Sequence, residues 1–316
     1  MLDYRAVTFL AICRCGSYTK AADELHLSQP AVSQHIRQLE QRYGARLFER
    51  DGRSMRRTAA GELLFSRLDA IDHDEGRIAR ELAALDEGGD GDHIDALNFG
   101  CTKTVGDYVA PALLTSYLAN HHRARIRMTS GNTDALVRGI LAGDIDFALV
   151  EGSFDRGKFD SALLSHESYI AVARPGMVRD VCATCETDTN GAPLPACPES
   201  IDQLLGQRLV LRERGSGTRQ IVEHVLAARG LGVSDFQGTL ELGTIPAIKA
   251  CVEAGFGITF LYRVAVEREL AAGTLEDVTP HDFELAHDFR LIWQRGSQYA
   301  ARWRALAAAW REELRR

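Results

Sequence analysis

The sequence predicts a chain of two modules: a small helical head that runs into one long helix, and an α/β body of two lobes. Three observations predict it. Residues 17–44 hold two short amphipathic segments about a tight turn, residues 58–86 repeat apolar side chains at alternating steps of four and three, and from residue 95 strand-like and helix-like segments alternate in two sets. A length of 316 residues and a hydrophobic share of 45% suit two or three globular domains. No apolar run reaches bilayer-spanning length and no signal-peptide pattern opens the chain, so a cytoplasmic protein with no membrane partner is expected.

In the head, a first helix is expected over Leu2 to Cys15, with Val7, Leu10 and Ile12 near its apolar side. Ser17 caps a second helix through Leu25, whose small Ala21 and Ala22 let another helix cross closely. Ser28 caps the third, with Pro30 in the first turn, where its missing N–H costs nothing. Val32, Ile36 and Leu39 make one stripe of that helix, while Gln29, Ser33, Gln34 and Arg37 project from the other side. Such a face suits the major groove of DNA, where amides and hydroxyls pair with base edges and arginine with guanine or phosphate. Alone, it equally describes a solvated surface helix. Leu47 and Phe48 are core anchors, and Glu49 to Arg57, with Asp51-Gly52 at its centre, reads as a hairpin wing. Arg50, Arg53, Arg56 and Arg57 on it are in reach of phosphates, with Arg53 at the tip placed to enter the minor groove.

Ala-Ala-x-x-Leu-x-x-Ser-Gln-Pro-Ala-Val-Ser-x-x-Ile-x-x-Leu-Glu over 21–40, Gly-x-x-Leu-Phe-x-Arg over 44–50 and Thr-x-Ala-Gly over 58–61 resemble the N-terminal domain of the LysR-type transcriptional regulators. The resemblance implies a winged helix-turn-helix DNA-binding domain over 1–58, a linker dimerisation helix and hinge over 59–90, and an effector-binding domain over 91–316. It also implies an antiparallel linker-helix dimer, a tetramer built as a dimer of dimers, an interrupted inverted-repeat operator on double-stranded DNA, and RNA polymerase as a partner.

Charge placement agrees with a DNA-binding head. The chain carries −7 in total, yet residues 1–60 hold ten Lys+Arg against six Asp+Glu. From Thr58 to Asp86, Leu64, Leu68, Ile71, Glu75, Ile78, Leu82 and Leu85 form a coiled-coil seam that should pair with its own copy, Glu75 reaching Arg77 or Arg80 of the other chain. The glycine-rich acidic run 86–92 reads as a hinge.

Strands are expected at 95–100, 125–130 and 147–150 with helices at 107–119 and 133–141. A second set has strands at 208–212, 237–242 and 257–261 with helices at 218–229 and 245–254. These are two lobes about a cleft, about 91–168 plus 265–316 and 169–264, joined by hinge strands near 169–174 and after Leu261. The resemblance implies a fold like that of periplasmic solute-binding proteins. In such folds ligands collect at strand C-terminal ends against helix N-termini. Thr102, Lys103 and Thr104, then Asn132 and Thr133, then Glu213, Ser216, Gly217 and Thr218, and finally Gly243 and Thr244 stand there, describing a pocket for a small anion. Each Ser or Thr taken singly is more often a plain helix cap.

Gly-Ser-Gly-Thr-Arg at 215–219 lacks the Walker pattern, and no cofactor or catalytic constellation is expected. A ligand-responsive regulator follows, not an enzyme. The insertion 177–200 departs from the family, and its Cys182, Cys185 and Cys197 supply the competing reading of a redox or metal sensor. A fourth zinc ligand is missing there, so no metal is assigned.

Overall fold

Asp3 opens the first helix, accepting from the Arg5 and Ala6 amides at 2.9 and 3.1 Å, and Gly16 closes it in the left-handed conformation. This computed structural model describes residues 2–51, 54–86, 96–178 and 198–315. Helix α1 (Tyr4–Cys15) crosses α2 (Tyr18–Glu24) and α3 (Gln29–Tyr43) over a core of Phe9, Leu10, Ile12, Ala21, Val32, Ile36 and Leu39. Val7, expected on the apolar side, faces solvent, and Phe9 packs inward instead. Strands β1 (Phe48–Asp51) and β2 (Ser54–Arg57) pair antiparallel, from Phe48 opposite Arg57 to Asp51 opposite Ser54, and Gly52 of the expected Asp-Gly centre lies outside the described residues.

Helix α4 (Ala59–Asp86) is fastened to the head at its start. The Thr58 hydroxyl donates to Arg46 O at 2.6 Å and accepts from the Gly61 amide at 3.0 Å. A Cβ on Gly61 would lie 2.1 Å from Leu47 O, so only glycine fits, and this gives the Thr-x-Ala-Gly phrase its physical reason.

The expected single seam is divided. Leu64 and Leu68 pack into the head core, whereas Leu63, Ile71, Ile78 and Leu82 stay 37–62% exposed. Within its own chain Glu75 accepts from the Leu2 amide at 3.2 Å. Arg77 is buried against Asp146 of the body at 2.8 Å, its guanidinium 4.5 and 4.7 Å from the Tyr299 and Trp303 rings.

The body begins with β3 (Ala96–Cys101), a π-helical turn at Val105–Val109 that leads into α5 (Ala110–Asn120), β4 (Arg125–Ser130), α6 (Thr133–Ala142) and β5 (Phe147–Val150). Strand β3 runs parallel between β4 and β5 over a core in which Phe99 and Phe147 stack 5.0 Å apart against Trp303 and Trp310. Strand β6 (Phe159–Ala173) is one 15-residue crossing strand, far longer than the hinge expected near 169–174.

The second lobe holds β7 (Arg208–Arg212), α7 (Gly217–Ala228), β8 (Gly238–Leu242), α8 (Ile245–Glu253), β9 (Thr259–Tyr262), α9 (Arg263–Ala272) and β10 (Glu276–Asp277). Strand β11 (Ala286–Gln294) and helix α10 (Ala300–Glu313) then complete the first lobe. Residues 159–168 of β6 pair with β11, and residues 169–173 pair with β9 and β10, so this strand joins the lobes. The boundary expected at 265 is displaced. Helix α9 buries Ala265 and Val266 with Ile248 and Leu261 of the second lobe, and the chain returns through 278–285.

Candidate functional site

Two surfaces carry the chemistry. On the head, Val32, Ile36 and Leu39 anchor α3, which leaves Gln29, Pro30, Gln34 and Arg37 exposed and Ser33 half-buried. Ser28 acts as the cap, accepting from the Ala31 amide at 3.3 Å, and the Arg37 Nε donates to Ser33 O at 3.3 Å. Arg56 is exposed on β2. Arg57 pairs with Glu62 at 2.9 Å, donates to Cys13 O at 3.4 Å and covers the Phe65 ring at 4.5 Å. Arg53 and the Arg50 side chain lie outside the described residues, as do Cys182, Cys185 and Cys197.

The second surface lies between the lobes. In the first lobe the ends of β3, β4 and β5 come together because Cys101 stands opposite both Ser130 and Leu149. Thr102 is buried there, and its hydroxyl has no hydrogen-bond partner among the described residues. Thr104 is buried and donates to Glu151 Oε1 at 3.3 Å, while Lys103 is exposed. Asn132 is a plain cap of α6, accepting from the Ala135 amide at 2.8 Å, and Thr133 Oγ1 lies within 2.7 Å of a Cβ built on Gly152.

In the second lobe, Arg212 ends β7 buried, its Nε and Nη2 donating to the two Glu213 carboxylate oxygens at 2.7 and 2.8 Å. This fork, with Lys103 nearby, holds the Glu213 carboxyl down at about 2. Glu213 therefore occupies the cation that an anion would seek. Ser216 caps α7 by position only, its hydroxyl making no capping bond, whereas Thr244 caps α8 by accepting from Ala247 N at 3.4 Å. Gly217 and Gly243 are exposed, and Thr218 is buried at the start of α7 with its carbonyl accepting from the Tyr169 hydroxyl at 2.9 Å.

The walls face each other: the Lys103 charge acts on Glu213, and the Arg212 charge acts on Glu151. Glu151 was not among the residues expected here, and Arg212 only as the first residue of the 212–219 segment, without a role of its own. The one available signal was their position, a charged residue directly at the end of a buried strand. Cys101, beside the site, is a packed thiol pushed up to about 12 by burial, with little of the reactive thiolate. Among the described residues no helix is long and apolar enough to cross a membrane, and no cluster of His, Cys, Asp and Glu has a metal-holding arrangement.

Residues 5–62 match the bacterial regulatory helix-turn-helix protein, lysR family, and residues 91–315 match the LysR substrate binding domain. The uncharacterized HTH-type transcriptional regulator YeiE of Escherichia coli K12 is 30% identical over 286 residues, 90% of this chain and 88% of that one. The RuBisCO operon transcriptional regulator of Allochromatium vinosum is 29% identical over 293 residues, 92% and 89% of the two chains. Full-length LysG from Corynebacterium glutamicum with bound effector Arg shares the fold at a TM-score of 0.60 and 16% identity, covering 99% of each chain. OxyR C206 mutant from the same organism shares it at 0.59 and 19%, covering 98% of this chain and 91% of that one. A helix-turn-helix head, a linker helix and a two-lobed substrate-binding domain stand in one chain, and the chain belongs to the LysR family of ligand-responsive, DNA-binding transcriptional regulators.

Proposed function

We propose that α3 and the wing read an interrupted inverted-repeat operator, and that a small anionic metabolite held between the lobes sets the arrangement of two such heads. The role is binding and not catalysis. Gln29, Ser33, Gln34 and Arg37 face base edges, with Arg56 on a phosphate; Arg57 holds the wing to the head. Thr102, Lys103 and Ser216, with the open amides at the start of α7, hold the effector.

The observation that carries this reading is a polar tie from head to first lobe through the linker. Asp69 accepts from Arg14 of α1 at 2.9 Å and from Gln294 of β11 at 2.7 Å. Asp74 accepts from the Ser297 hydroxyl at 2.8 Å and the Gln298 amide at 2.7 Å. A ligand that draws the second lobe toward the first then alters a body to which the head is tied. The exposed row of Leu63, Ile71, Ile78 and Leu82 supports self-pairing of α4, and a two-fold pair of heads accounts for two half-sites. A dimer of such dimers, contacting RNA polymerase, completes the reading.

Selection of bound duplexes by the full chain tests it. The expected product is a pair of inverted half-sites about one or two helical turns apart, with preference relaxed at one position in Arg37→Ala. Equal binding to all duplexes would refute the reading.

A further inference from the structure

Glu151 stands where β5 leaves the first-lobe sheet, next to the end of β3 that carries Thr102. One of its carboxyl oxygens, Oε1, accepts from the Thr104 hydroxyl at 3.3 Å. The other, Oε2, is sealed from solvent and has no partner among the described residues, as is true of the Thr102 hydroxyl. Two orphan oxygens on adjacent strand ends, in the wall that faces Arg212, are costly unless a ligand group completes them.

A carboxylate in an anion site would repel its ligand. A carboxylic acid would not, because its O–H is a donor. Burial favours the acid here, pushing the Glu151 carboxyl up to about 7 against the opposing effects of the Thr104 hydrogen bond and the Arg212 charge.

We propose that Glu151 binds the effector as a neutral carboxylic acid, donating from Oε2 to an oxyanion that also meets the Thr102 hydroxyl and the open amides at the start of α7. This rests on the interlobe reading above and adds to it a ligand class and a proton. An oxyanion beside Glu151 disfavours its ionised form further, so binding takes up one proton from solvent. Affinity is then greatest below pH 7 and falls above it.

The groups facing Glu151 do not supply that proton. They are the Thr104 hydroxyl, Arg212 from β7, Tyr169 from β6 and Tyr262 from β9. Burial holds both tyrosines well above the usual phenol range. His287, whose Nδ1 lies 3.0 Å from the Tyr262 hydroxyl, is held below the usual histidine range by burial, and Glu213 stays ionised beside Arg212.

Sulfate and succinate keep their charge from about pH 6.5 to 9 and serve as probes. Calorimetric titration of the full chain in two buffers of different ionisation enthalpy reads Kd and proton uptake together. The wild type should take up close to one proton at about pH 8, its Kd rising about tenfold per pH unit above about 7. Glu151→Gln, which keeps a neutral donor, should bind without pH dependence or uptake. Wild-type binding that is flat with pH and releases or takes up no proton overturns the proposal, and needs no variant. So does loss of binding in Glu151→Gln at every pH with a melting temperature no lower than that of the wild type. If neither anion binds the wild type at any pH, this proposal fails together with the reading of the cleft as a site for such anions, whereas binding without proton uptake overturns Glu151's role alone.

Discussion

Three arginines of the head, alike in sequence, do different work. Arg37 leaves α3 on its exposed face, Arg56 leaves β2 outward, and Arg57 turns back onto Glu62 and Phe65. Arg37→Ala is expected to relax base preference at one operator position, at a cost of about 1–3 kcal/mol. Arg56→Ala should weaken all duplexes alike and lower the salt slope of binding by about one. Arg57→Ala should leave that slope unchanged and lower the melting temperature, because it removes packing and an ion pair within the head. Gel-shift titrations across salt concentrations separate the three. Glu151 makes a prediction of stability. Its folded-state pKa is raised to about 7, so the folded chain holds the proton that the unfolded chain loses first, and stability falls as pH rises from the ordinary glutamate range toward 7. Glu151→Gln should therefore melt higher than wild type at pH 8, with the gap closing toward pH 5. Neither Arg57's inward turn nor Glu151's role was legible in the sequence. Charge patterning cannot say which arginine of a basic run folds back, and only the fold brings Thr104 and Arg212 to Glu151.

Among the elements, those with local punctuation were legible. Caps at Ser17 and Ser28, proline in a first turn and a 4–3 apolar stripe place α2 and α3 because each of these signals acts within one helix turn. Strand β6 was seen only at its second end, since residues 159–168 mix Ser161, His166 and Glu167 with apolar residues and gain strand character from pairing with β11 far along the chain. Helix α4 was legible in extent and misread in its faces. Its apolar period promised one seam, but its buried acidic and basic residues dock it on its own body, and periodicity alone cannot distinguish the two surfaces. Removing one partner of the buried Arg77–Asp146 pair, as in Asp146→Ala, is expected to cost about 3–5 kcal/mol, read as a lower melting temperature. Ile78→Glu on the exposed row should instead leave that temperature nearly unchanged at low concentration and shift the chain toward monomer in sedimentation.

For the whole molecule, the two-module plan was legible because each module has its own period and its own charge sign. The coupling between the modules was not, because it rests on single polar residues, Asp69, Asp74 and Gln294, from elements far apart in sequence. On the reading proposed above, the space between the lobes is a sensor for a small anion. The most direct test is the melting temperature of the full chain across a panel of sulfate, thiosulfate, phosphorylated sugars, short carboxylates and aromatic acids, beside the same panel on Thr102→Val. Valine keeps the shape and removes a hydroxyl that has no partner among the described residues, so the variant should fold at least as well. At a ligand concentration of about 100 Kd, linkage gives about 2.7 kcal/mol of added stability, a rise of several degrees. Such a rise is expected for at least one anion in the wild type, and its loss in Thr102→Val. A melting temperature unmoved across the panel, or raised equally in both proteins, would contradict that reading.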